Sequence, residues 1–218
     1  MKMRAPAVAL LIVATATSLT MLGGPASAAP TAPKKGAASV GAVSVTLDGV
    51  ATNQASIAPC TTLGANSTPG TTPVAGVVYG KAETSCTRDK GEATAVASGK
   101  RFKVTVLRRH RGPVIALTSW SVQCSTKKTG STASMTLSGL TGVTVPSNIP
   151  VNYTVTVPGH KPSDPVLAKV VFNELVVPSP PDGSMVMNLM HIKLFPNTPN
   201  SPDRGDIVLG TVDCDPNK

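Results

Sequence analysis

Valine, leucine and isoleucine recur at every second position along most of this chain, with serine, threonine and charged residues between them. Over residues 40–50, Val43, Val45 and Leu47 fall on one face and small or polar residues on the other, which is the period of a half-buried strand. The same reading predicts strands over 74–87, 92–98, 102–107, 114–124, 134–143, 151–157, 166–177, 185–194 and 206–214. Turn-forming stretches separate them, among them Arg88-Asp89-Lys90-Gly91 and Pro178-Ser179-Pro180-Pro181-Asp182-Gly183, whose residue types favour reversal. Residues 52–72 read as a long surface loop. Beyond the N-terminal segment, no stretch carries apolar residues at i, i+3, i+4 and i+7 over the length of a helix. The fold class is therefore all-β: a mainly antiparallel β-sandwich or barrel-like single domain.

The first 28 residues stand apart. Lys2 and Arg4 precede an uncharged apolar run, and Gly23, Gly24 and Pro25 lead into Ala26-Ser27-Ala28, the layout of a secretory signal with its small-residue cleavage site. Cleavage there leaves 190 of the 218 residues: a short Ala/Pro/Lys leader over 29–37 and one β domain over 38–216. No later stretch is apolar enough to span a bilayer, so no transmembrane segment is expected after cleavage. The expected location is extracellular or at the cell wall.

Export changes how the cysteines read. Cys60, Cys86, Cys124 and Cys214 form an even set without zinc-ligand spacing, which in an exported chain implies two disulfides. Of three possible connectivities, Cys60–Cys86 and Cys124–Cys214 is the expected one, because the second would tie a strong strand to the last. Aromatics are only 3 % of the chain, so the core must be built from small aliphatics.

Charge narrows the partners. The formal net charge of +9 falls to +7 once Lys2 and Arg4 are removed, a bias toward anionic surfaces. The densest basic feature is Lys100, Arg101 and Lys103 followed by Arg108, Arg109 and Arg111, placed by the predicted hairpin on one strand and its tip. It can serve as a solvated edge that resists aggregation or as the contact for an anionic envelope polymer or surface protein. Nucleic acid is not an expected partner of an exported protein.

Catalytic templates are missing: no Gly-x-Ser-x-Gly, His-Glu-x-x-His or phosphate-binding glycine loop occurs. No enzyme activity, metal or cofactor is predicted. One polar group merits attention. If the last long hairpin turns near Pro181, Glu174 lies opposite Asn188, and His191 opposite Val171. Strict alternation would then separate Asn173, Glu174, Asn188 and His191 into two faces, Glu174 with Asn188 and Asn173 with His191. Such a group reads first as a hydrogen-bonded structural cluster. A secreted hydrolase or a secreted protease inhibitor are the alternative functions, the second suggested only by size and two disulfides.

From Trp120 onward the chain resembles the choice-of-anchor P family of exported actinobacterial proteins. The resemblance rests on the strand ending in Cys124, Leu137-Ser138-Gly139-Leu140-Thr141, Val170-Val171-Phe172-Asn173-Glu174, Met187-Asn188-Leu189-Met190-His191-Ile192 and Asp206-Ile207-Val208-Leu209-Gly210 before Cys214. The family carries a similar Asn-Glu strand, an Asn-x-x-His strand and a closing glycine-bearing strand, although Leu175 stands where a Gln is usual. The resemblance implies an exported β domain at the cell envelope and no particular reaction.

Overall fold

The computed structural model describes residues 35–127, 129–198 and 201–216; the expected signal peptide lies outside them. They form two antiparallel sheets that stack face to face and do not close into a barrel. The chain begins in the first sheet with β1 (Lys35–Leu47), β2 (Val50–Ile57) and the short β3 (Cys60–Thr61). It crosses to the second sheet for β4 (Gly64–Thr68), β5 (Val77–Val78), β6 (Ala82–Asp89), β7 (Glu92–Val104), β8 (Ile115–Lys127) and β9 (Gly130–Ser138). It returns to the first for β10 (Tyr153–Val157), β11 (Ala168–Val176), β12 (Met185–Leu194) and β13 (Arg204–Asp215). The first sheet runs β10-β11-β12-β13-β1-β2, with β3 also on β1; the second runs β4-β6-β7-β8-β9, with β5 also on β7. The two terminal strands thus pair at the middle of one sheet, Lys35 opposite Asp215 and Thr46 opposite Arg204.

Several sequence boundaries move. β1 begins at Lys35, so residues 35–37 of the expected leader are strand, because their amides and carbonyls face β13. The loop expected over 52–72 contains most of β2 and all of β3 and β4; its serines, threonines and small residues hid edge strands that bury little. Residues 92–104 form one strand rather than two, and the tip after it is a 3-10 turn, Val106–His110.

Both expected disulfides are present, and both tie one sheet to the other. Cys60 beside β1 joins Cys86 on β6, and Cys124 on β8 joins Cys214 on β13, with Cα separations of 5.9 and 6.1 Å. Sheets normally pack about 10 Å apart, so at this end they are drawn much closer. Small residues make that possible. Ala93, Ala95 and Ala97 of β7 are fully buried, and a Cβ on Gly36 would already lie 3.5 Å from that of Ala95. Ala95 pairs laterally with both Cys86 and Cys124, so the two bridges flank one alanine. Further along the strands the filling becomes larger: Phe102, Trp120, Phe172, Leu189 and Met190.

Alternation breaks along one line in each sheet. In β12, Met187 and Leu189 face the core, but so do Met190, Ile192 and Leu194. In β13 the inward set is Val212, then Leu209 and Ile207; in β1 it is Ala38 and Val40, then Val43 and Val45. The ladders skip this one row and resume in the same register, so every strand in the row shifts phase together. Two residues in the left-handed region produce the shift, Asn173 (φ 53°) on β11 and Gly210 (φ 64°) on β13. Asparagine and glycine are the types that tolerate that backbone. The second sheet does the same at Arg101 (φ 60°) and Gly139 (φ 62°), on either side of Thr118.

Candidate functional site

The phase shift builds the polar group on β11, β12 and β13. Registers are as the hairpin predicts, with Glu174 opposite Asn188 and His191 opposite Val171. The predicted division into faces is overturned. Because Leu189 and Met190 both turn inward, Asn188 and His191 both turn outward and meet Glu174. Asn173 leaves the group and donates its side-chain amide to the carbonyl of Ile149 at 3.1 Å.

The cluster is continuous. Thr211 donates to Asn188 Oδ1 at 2.7 Å, and Asn188 donates to Glu174 Oε2 at 2.8 Å. His191 Nδ1 lies 2.8 Å from Glu174 Oε2, and its Nε2 lies 2.7 Å from Asp206 Oδ1. Lys193 completes it, 3.3 Å from Glu174 Oε1. Asp206 and Thr211 carry no local signal in the sequence, and only the β12–β13 register brings them in; Lys193, two residues along β12 from His191, shares its face by alternation.

Electrostatics fix the protonation. Burial alone would disfavour the imidazolium, but hydrogen bonds and charge from Asp206 and Glu174 outweigh it and lift His191 to about 9. Burial would likewise raise the Glu174 carboxyl, yet the hydrogen bonds from His191 and Asn188 and the charges of His191 and Lys193 pull it down to about 2. Both ring nitrogens of His191 then donate to carboxylates. A ring so held has no lone pair for a proton or a metal ion.

A pH dependence follows. Folding favours protonated His191, so its contribution is complete below the ordinary histidine value of 6.5 and disappears as pH rises through about 9. Folding favours ionised Glu174, so its contribution is present above 4.5 and disappears as pH falls through about 2. Stability should therefore decline between pH 6.5 and 9 by about 1–2 kcal/mol, after allowance for partial solvation. His191→Gln should flatten that slope in denaturation measured across the range. An unchanged slope would show that His191 is not the protonated group.

The basic residues separate into two sets. Lys100, Arg101 and Lys103 are exposed on β7, Arg108 on the 3-10 turn and Arg111 at its C-terminal cap, none with an ion-pair partner among the described residues. Arg109 points elsewhere: it pairs with Asp48 in the β1–β2 turn, and its Nε lies 3.7 Å from Asp203. Asp203 is 3 % exposed and also receives the Asp48 amide and His110 Nε2, each at 2.7 Å. Burial would raise that carboxyl, but these partners hold it low. The Arg109–His110 corner is thus a clasp between the two sheets, with the His110 ring edge-on to Phe195 at 4.7 Å. Sequence reading placed Arg109 with the free arginines because Asp48 and Asp203 are far away in the chain.

A cleft of about 690 Å³ lies between β9 and residues 145–151 and is lined by uncharged side chains including Met135, Leu137, Ile149 and Leu175. No described helix is long and apolar enough to cross a membrane.

No family model, curated protein or solved structure matches the chain. The functional reading therefore rests on these residues.

Proposed function

We propose that this protein is an exported, non-catalytic interaction module that holds to an anionic component of the cell envelope through the basic face of β7 and the adjoining 3-10 turn. The observation that carries this reading is the contrast within one short segment. Arg109 is committed to Asp48 and Asp203, whereas Lys100, Arg101, Lys103, Arg108 and Arg111 stand exposed without ion-pair partners among the described residues. Like charges held together raise the local potential. The two disulfides suit an oxidising compartment, and the resemblance to choice-of-anchor P proteins agrees with an envelope location. His191, in its double carboxylate clamp, offers no free nitrogen as a general base.

The test is binding to isolated wall polymer or to a model polyanion such as dextran sulfate. Affinity should drop steeply between low and high salt, since exposed charges are screened over about 8–10 Å at physiological ionic strength. Replacing Lys100, Arg101 and Lys103 by Ser, Gly and Ser should weaken binding about tenfold or more, with little change in thermal stability because exposed charges contribute little to folding. Glycine at 101 also suits the left-handed backbone there. Binding that survives both salt and substitution would sink the proposal.

A further inference from the structure

The outer face of the second sheet is dominated by serine and threonine. Alternation of β6 to β9 places Thr87, Thr94, Ser125 and Thr132 in one lateral row. Two residues along the strands lie Ser85, Val96, Gln123 and Ser134, and four residues along, Ser98, Ser121 and Thr136 follow Glu83 in a third row. Ser119 and Ser138 continue the array beside Lys100. Neighbouring strands lie about 4.8 Å apart and same-face residues about 6.7 Å, so the hydroxyls stand at regular intervals. Several bond laterally: Ser119 to Ser138 at 2.7 Å and Ser125 to Thr132 at 3.3 Å. Each retains further hydrogen-bonding capacity toward solvent. A shallow depression of about 470 Å³ crosses the face between β4 and β7, over Ser67, Ser85 and Ser98.

Charge is confined to the ends. Lys81 and Lys100 are adjacent, their backbones bonded at 2.9 Å, with Arg101 and Lys103 beyond. Glu83 is the single acidic side chain within the lattice; at the opposite end Asp89 and Glu92 close β6 and β7, with Lys90 in the turn between them and Lys127 at the end of β8. Val96 is the one apolar side chain in these rows, too little for an apolar partner, and a partner read by charge alone would have no use for the hydroxyls. A chain carrying both hydroxyls and regularly spaced carboxylates complements both features.

We infer that the outer face of β6 to β9 is a binding surface for a linear anionic polysaccharide, whose hydroxyls meet the serine and threonine lattice and whose carboxylates meet Lys81, Lys100, Arg101 and Lys103. This deepens the envelope-binding reading and rests on it. The polymer crosses the sheet from its basic end, and Glu83 sets a repulsive limit on one side.

The experiment compares binding of the disulfide-bonded chain to immobilised polygalacturonate, a carboxylated polysaccharide, and to dextran sulfate, together with sedimentation of the protein alone. The variant Ser98→Ala, Ser121→Ala, Thr136→Val removes three hydroxyls without altering charge. It should lose about tenfold on polygalacturonate and less than twofold on dextran sulfate, which is held by charge. Glu83→Gln should strengthen polygalacturonate binding about twofold. Equal, small effects of the triple variant on both polymers overturn the lattice and leave the basic face standing. Failure of the unaltered protein to bind either polymer overturns both readings. A concentration-dependent dimer lost in the triple variant assigns the face to a second copy of the chain and overturns the inference.

Discussion

Replacing Cys124 and Cys214 together by alanine is expected to lower the unfolding free energy by about 3–5 kcal/mol. Their bridge spans 90 positions, a long loop to release into the unfolded ensemble, where the entropic gain grows slowly with length. The native state loses as well. Cys214 and Cys124 are buried, and their link holds the terminal strand against β8 where the sheets are closest. The neighbouring alanines of β7 bury too little surface to maintain that approach alone, since each contributes far less than a Leu or Phe. Removing Cys60 and Cys86 should cost less, because that loop is 26 positions long and ends on the two-residue strand β3. Urea denaturation of both double variants without reductant gives the ranking. A Cys124/Cys214 variant within about 1 kcal/mol of the parent would refute the idea that the small-residue end depends on its bridge.

The second large effect is expected at Gly41, which should not accept even a methyl group. A Cβ there would lie 2.3 Å from the Val208 carbonyl oxygen and 2.5 Å from Cε1 of Tyr79, separations that demand movement of backbone and ring. Tyr79 has little room to yield. It is 2 % exposed, its ring packs 5.1 Å from that of Phe102, and its hydroxyl donates toward the carbonyls of Val208 (2.7 Å) and Ala42 (3.0 Å). Burial raises its hydroxyl well above the ordinary tyrosine range, with the Ala42 carbonyl opposing that rise only in part, so it remains a donor at all working pH. Gly41→Ala is therefore expected to cost about 3 kcal/mol or more. Tyr79→Phe, which keeps the packing and loses only the hydroxyl, should cost about 1–2 kcal/mol. Thermal denaturation of both variants measures the difference. Equal losses would place the sensitivity in the hydroxyl rather than in the space Gly41 leaves.

The phase shift shows how legibility and tertiary structure divide. The apolar positions of β12 read Met187, Leu189, Met190, Ile192, Leu194, and those of β13 read Ile207, Leu209, Val212, Cys214. Each list changes parity once, so the shift is written in the residues. Strict alternation overrides it only if every strand is assumed regular. Asn173 and Gly210 mark the same row, because a left-handed residue selects those side chains. Arg101 bears no such mark, and a left-handed arginine inside a strand is invisible without coordinates.

Local chemistry alone determined that this chain is all-β, where most strands lie, and that its last long hairpin sets Glu174 against Asn188. Period-two burial and turn residues act over a few positions, and a hairpin register follows from its turn. The cysteine pairing is the favoured one of three, because Cys124 and Cys214 sit at strand ends, and the structure has it. The tertiary structure alone decided that β1 and β13 are neighbours, that Asp206 closes on His191, that Asp48 and Asp203 claim Arg109, and that hydroxyls from four strands share one face. Each of these joins residues from strands whose relative placement is set by how two sheets bury their apolar faces against each other, a global balance that no short stretch of sequence encodes.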